Sequence, residues 1–265
     1  MSLSSRAIVT ALLAVLLAGA AWLGLEVLVV IAAGLVLLFA AGWAAVSGQP
    51  RESGTGIVVA TAGLLALLAA WHASSDSVLR FLPQVLGITV GLAFLAEMLR
   101  QDGRPGLVSS LSAAMTGAII GVGLAGWVAA TRFAGEQTQP GFGLGDGSWL
   151  GTGPYRPALV VVGALCLVMA ATIFGLRVKP GWIGFLLTMW LVALVGALLG
   201  LAFPQVGWNV GLIVGALVGL IASVLRMIFG DDVRLGETRA ALSAAVAPIA
   251  ASGLLMFALR WLSAG

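Results

Sequence analysis

Apolar residues run through this chain in long unbroken blocks, and the charged ones gather in the short gaps between them. Stretches such as 57–70 show neither the two-residue alternation of a half-buried strand nor the polar stripe of a helix on a soluble core. The hydrocarbon core of a bilayer is about 30 Å thick, so a spanning helix needs roughly 20 apolar residues. Backbone amides find no water there, and only helices or closed barrels satisfy them internally. The pattern predicts an all-α fold, a polytopic transmembrane helix bundle with about nine spans. They fall at about 7–24, 27–46, 56–72, 78–98, 107–130, 158–176, 181–202, 206–227 and 241–262.

The first pair is the hardest to divide. Ala7 to Val46 is nearly continuous apolar sequence, and as one helix at 1.5 Å per residue it would be about twice the bilayer core. A tight turn at Trp22–Glu26 makes two full spans of it; one buried helix with a re-entrant piece is the other arrangement.

Composition narrows the class further. Hydrophobic residues make up 61 % of the 265 and charged residues 9 %, against about 25 % charge in a soluble domain. Residues 1–265 therefore read as a single integral membrane domain, since the longest polar stretch, the Gly-rich 131–157, is too short for a core of its own. The pI near 10.0 reflects a net charge of only +3, with the basic residues scattered, so nucleic acid is not an expected partner. The single cysteine, Cys166, excludes an internal disulfide and reads as a small buried apolar residue. Arg6 followed by an apolar stretch resembles a signal peptide, but another span follows at once, and a retained first helix is expected.

Lys and Arg concentrate in cytoplasmic loops. With the N-terminus inside, Arg6, Arg51, Arg100, Arg104, Arg177, Lys179, Arg226, Arg234 and Arg239 are cytoplasmic, and Arg80, Arg132, Arg156 and Arg260 face out. The expectation is a cell-membrane protein with its N-terminus cytoplasmic, its C-terminus outside and the 131–157 loop external. That loop is rich in glycine but lacks the Gly-Lys-Ser/Thr ending of a phosphate loop. Within the spans, Gly87/Gly91, Gly117/Gly121, Gly196/Gly200 and Gly211/Gly215/Gly219 recur every four residues. Such faces let helix backbones approach in lipid, which predicts close packing inside the bundle, with a homo-oligomeric interface or a membrane-protein partner as the alternative.

Ionisable residues deep in a span would mark function, and this chain has almost none. Glu97 and His72 end spans and read as interfacial; Gln84 and Asn209 are isolated polar residues a neighbouring helix could satisfy. The charges that remain are in loops after the fourth, sixth and eighth spans. Arg177, Lys179, Arg226 and Arg234 are the candidate ligands for lipid phosphate, and the adjacent Asp231 and Asp232 are candidate Mg²⁺ ligands.

Phe174-Gly175-Leu-Arg177, then Lys179-Pro180-Gly181-Trp182-Ile183-Gly184, then two Gly-rich spans, the second ending Ser223-Val-Leu-Arg226-Met227-Ile-Phe-Gly230, form a recognisable layout. Over about residues 160–262 it resembles the C-terminal half of the phosphatidate cytidylyltransferase family, polytopic enzymes that make CDP-diacylglycerol from CTP and phosphatidic acid. The family's Lys-Thr-Trp-Glu-Gly is matched here at its Trp and final Gly, with Ile183 at the Glu; its Ser-x-x-Lys-Arg-x-x-Gly is approached by Ser223 to Gly230. Its Pro-Gly-His-Gly-Gly run and the acids that follow have no counterpart, because 239–252 holds neither His nor Asp. The expectation is a non-catalytic membrane component that binds membrane lipids or a protein partner. A CTP-dependent nucleotidyltransferase, with Mg²⁺ on Asp231 and Asp232, and a small transporter are the alternatives.

Overall fold

The computed structural model describes residues 3–48, 52–72, 78–99, 106–132, 157–175, 181–204, 206–229 and 237–264. They form nine helices and no strand among the described residues: α1 (Leu3–Leu23), α2 (Leu25–Val46), α3 (Glu52–His72), α4 (Val78–Met98), α5 (Leu107–Arg132), α6 (Ala158–Gly175), α7 (Trp182–Ala202), α8 (Trp208–Phe229) and α9 (Thr238–Ala264). Eight are long and apolar enough to cross a membrane; α4 is the exception, its described apolar part running only from Pro83 to Met98. Thr131 and Arg132, expected in the external loop, instead belong to the last turn of α5, with Thr131 buried and its hydroxyl donating to the Val128 carbonyl at 2.8 Å. The rest of that loop, 133–156, lies outside the described residues.

A single residue divides the first apolar run. Gly24 has φ +143° and ψ +166°, a region open essentially to glycine alone. Its amide still donates to the Ala20 carbonyl and its own carbonyl accepts from Leu28, so the hydrogen-bond ladder hardly breaks while the chain reverses. α1 and α2 leave this joint as two arms that both reach the early turns of α9. Thr10 of α1 donates to the Ala245 carbonyl (2.9 Å), and the Phe39 carbonyl of α2 accepts from Ser243 (2.8 Å). The expected turn at Trp22–Glu26 is therefore present, and 7–46 holds two long helices.

Successive helices run up and down. The start of α1 meets the ends of α6 and α8, the end of α2 meets the starts of α3 and α9, and Glu97 near the end of α4 accepts from Ser110 near the start of α5. One face of the bundle thus carries the starts of the odd-numbered helices and the ends of the even-numbered ones. α9 is central, packed on α5, α2, α1 and α8, while α4 and α7 lie at opposite edges. Burial follows: 67 % of the α6 span is inside the bundle but only 28 % of α7. Leu187, Trp190, Leu194, Leu198 and Leu201 of α7 are exposed, an apolar surface of the kind a bilayer interior covers. Exposed Trp22, Trp71 and Trp208 mark one face and Trp182 the other, where indole rings settle at the headgroups.

Glycine decides which helices touch. A Cβ at Gly196 would run into the Gly211 carbonyl, one at Gly200 into Gly207 and one at Gly215 into Val192, so α7 and α8 are in backbone contact. α5 and α9 do the same through Gly123, Gly126 and Gly253, and the Trp127 indole locks that pair by donating to the Ile249 carbonyl at 2.8 Å. Gly117 faces Trp43, whose indole donates to the Ala113 carbonyl (2.8 Å). Gly87 and Gly91 of α4 depart from the expectation of close packing: nothing lies within 4 Å of where their Cβ atoms would be. α4 turns this stripe away from α3 and α5, so the pattern alone does not identify a packed face.

Candidate functional site

The glycine-mediated backbone contact between α7 and α8 ends at Gly219. Beyond Gly219, Ala222, Ser223, Leu225, Arg226 and Phe229 replace glycine, and their volume goes with two clefts on either side of the helix end. The larger lies among α1, α6, α8 and α9 and holds about 580 Å³ of space open to its surroundings. Its walls are apolar, with Leu167, Ala170 and Ala171 on α6, Ala222 and Leu225 on α8, and Pro248 on α9; Arg6 and Arg226 line it as well.

Each arginine is held by a neighbouring helix. Arg226, in the last turn of α8, stands over the Phe174 ring at the end of α6, its guanidinium carbon 4.9 Å from the ring centroid. A cation over a ring face gains about 0.5–2 kcal/mol, more when water is excluded. Arg6, four residues into α1, donates from Nη1 to the Phe229 carbonyl at 3.1 Å. That carbonyl is among the last four of α8, which have no partner within the helix, and the negative end of the helix dipole draws the same cation. Both arginines are half-buried, and the Nε of Arg6 lies wholly inside the bundle. Pro248 has no amide to offer the Ala244 carbonyl. Around it, Thr10 and Trp127 donate to the Ala245 and Ile249 carbonyls.

The smaller cleft is a shallow opening between the start of α7 and the end of α8, about 260 Å³ when the space open to its surroundings is counted. Phe174 and Arg226 line it too, so that ring and cation form a saddle between the two clefts. Gly184, Phe185 and Thr188 of α7 face Ser223 and Met227 of α8. The Thr188 hydroxyl donates to the Gly184 carbonyl at 2.8 Å. Ser223 is 3 % exposed, and its buried Oγ has no hydrogen-bond partner among the described residues.

Of the candidate phosphate and metal ligands named from sequence, Arg226 is the one among the described residues, and it lines both clefts. Arg177, Lys179, Arg234, Asp231 and Asp232 lie outside the described residues, and with them the Mg²⁺ ligands the nucleotidyltransferase alternative needs. Among the described residues, no group of three or more His, Cys, Asp or Glu side chains could hold a metal ion. Cys166 is buried in α6, His72 is exposed with its ring 4.9 Å from that of Trp71, and Gln84 is exposed on α4. Arg6 is the residue that sequence reasoning placed on the right face without naming as a ligand. The signal was positional, a cation starting a span as Arg226 ends one, but nothing local says that α1 and α8 meet. No protein-family model, no curated protein and no solved structure matches the chain. The arrangement defines a class only: a helical membrane bundle with a cationic, apolar-walled cleft at one face.

Proposed function

We propose that this protein is a non-catalytic membrane component that binds an anionic lipid, with the headgroup phosphate between Arg6 and Arg226 and an acyl chain along the α6–α8 wall. The observation that carries the reading is the placement of two guanidinium groups, 220 positions apart in sequence, on one apolar cleft at a face of the bundle. Arginine presents a planar fork of donors that matches a phosphate with two hydrogen bonds. Each basic residue at headgroup depth is worth about 1 kcal/mol toward anionic lipid. An apolar wall beneath such a pair suits a chain-bearing phosphate better than a free one.

The test is lipid retention by native mass spectrometry. Phosphatidylglycerol should be retained over phosphatidylcholine, and inorganic phosphate should not compete. Arg226→Gln should lower that retention about tenfold, the value of one charge-assisted hydrogen bond, and Arg226→Lys should restore part of it. Equal retention by wild type and Arg226→Gln would end the proposal. Formation of CDP-lipid from labelled CTP, Mg²⁺ and phosphatidic acid would replace it with the nucleotidyltransferase reading.

The proposed setting is the cell membrane, with the Arg6 face cytoplasmic and the C-terminus outside, because nine of thirteen basic residues then lie inside. Cysteine introduced at Arg104 should be shielded from an impermeant thiol reagent in intact cells, and cysteine at Gly147 should react. The reverse result would invert the orientation.

A further inference from the structure

The geometry points to a two-chain ester glycerophospholipid, seated astride the Phe174–Arg226 saddle with one acyl ester in the smaller cleft on the Ser223 hydroxyl. This rests on the phosphate site proposed above and goes beyond it by naming the lipid backbone that the site takes.

Three observations lead there. First, the two clefts share Phe174 and Arg226, so a ligand whose phosphate sits on Arg226 has an opening on either side of one ring. A single-chain amphiphile would occupy one of them; a glycerol carrying two chains branches where the saddle does. Second, Ser223 is three residues before Arg226 on α8, which places it about 4.5 Å deeper along the helix axis. In a glycerophospholipid the ester carbonyls likewise lie a short step below the phosphate, on the adjoining glycerol carbons. Third, the polar chemistry of the smaller cleft fits an acceptor. A hydroxyl has one proton to give, and that of Thr188 goes to Gly184. The Ser223 Oγ is buried without a partner among the described residues, at the cost that attends any buried unpaired polar group. An ester carbonyl accepts and cannot donate, so Ser223 is the hydroxyl that would meet it. A purely apolar chain would leave it unpaired.

The experiment compares diacyl phosphatidylglycerol with its dialkyl ether counterpart, which keeps the phosphate, the headgroup and both chains but lacks the carbonyls. Native mass spectrometry on the full chain should show wild type retaining the diacyl lipid on the order of fivefold better, the value of one neutral hydrogen bond. Ser223→Ala should abolish that preference while leaving the Arg226 dependence of both lipids intact. Alanine is smaller than serine and fits the same space. Lyso-phosphatidylglycerol, with one chain, should be retained less than either.

Equal retention of ester and ether lipids by wild type would overturn this inference and return Ser223 to a hydroxyl satisfied by water. So would an ester preference that survives Ser223→Ala. Neither result touches the phosphate site, which stands or falls with Arg226→Gln. Loss of all anionic selectivity would instead remove the phosphate site and this inference with it.

Discussion

The two halves of α8 treat their neighbours in opposite ways. From Gly211 to Gly219 the helix lies in backbone contact with α7, and no side chain separates them. From Ser223 to Phe229 the same helix is flanked by clefts, held open by Phe174, Phe185 and Arg226. Both halves are mainly apolar and both belong to one continuous helix. Side-chain volume, more than polarity, separates them: glycine brings α7 to within backbone distance, and larger residues leave open clefts. In a chain with so few charges, two arginines, Arg6 and Arg226, line the larger of those clefts.

The closed half should be the easiest to break. Gly215→Leu places a side chain against the Val192 carbonyl and the Ala193 Cα. Backbone cannot step aside as a flexible side chain can, so the loss of stability should reach the upper end of the overpacking range, about 3 kcal/mol. A clear fall in Tm in detergent is expected; an unchanged Tm would mean that the α7–α8 contact is not closed.

Gly24→Ala comes next. It meets nothing within 4 Å, so the cost is conformational alone. Holding alanine at φ +143° should take about 1–3 kcal/mol, again read as a lower Tm. A neutral substitution would mean that α1 and α2 join through a different backbone geometry.

Gly87→Leu should have the smallest effect, within about 0.5 kcal/mol, as at surface positions away from special features. Its stripe has the same spacing as that of α8 yet faces outward. A fall comparable to that of Gly215→Leu would place another surface against α4 and erase the contrast.

These three glycines show how far the sequence could be read. Span positions follow from local physics, apolar length against bilayer thickness, and the helix ends lie within about four residues of those expected from it. The division of residues 7–46 was legible because a single helix of that length has nowhere to go. The fates of Gly87/Gly91 and Gly211/Gly215/Gly219 were not, since the same four-residue spacing serves both, and which helix lies opposite is a tertiary fact. The site divides in the same way. Arg226 stood out as a cation ending a span. Its companion Arg6 bonds to a carbonyl 223 positions away, a pairing no local pattern encodes. Ser223 lay inside a motif compared with a family signature, and only the clefts around it suggest a role.

The most direct measurement of the central claim is where a lipid chain lies. Phosphatidylglycerol carrying a diazirine on its acyl chain, bound at low molar ratio and photolysed, should label Leu167, Ala171, Ala222 and Leu225 in the cleft, and Arg226→Gln should strongly reduce that labelling. Labelling confined to the outward residues of α7, such as Leu194 and Leu198, and unchanged in Arg226→Gln, would contradict the account.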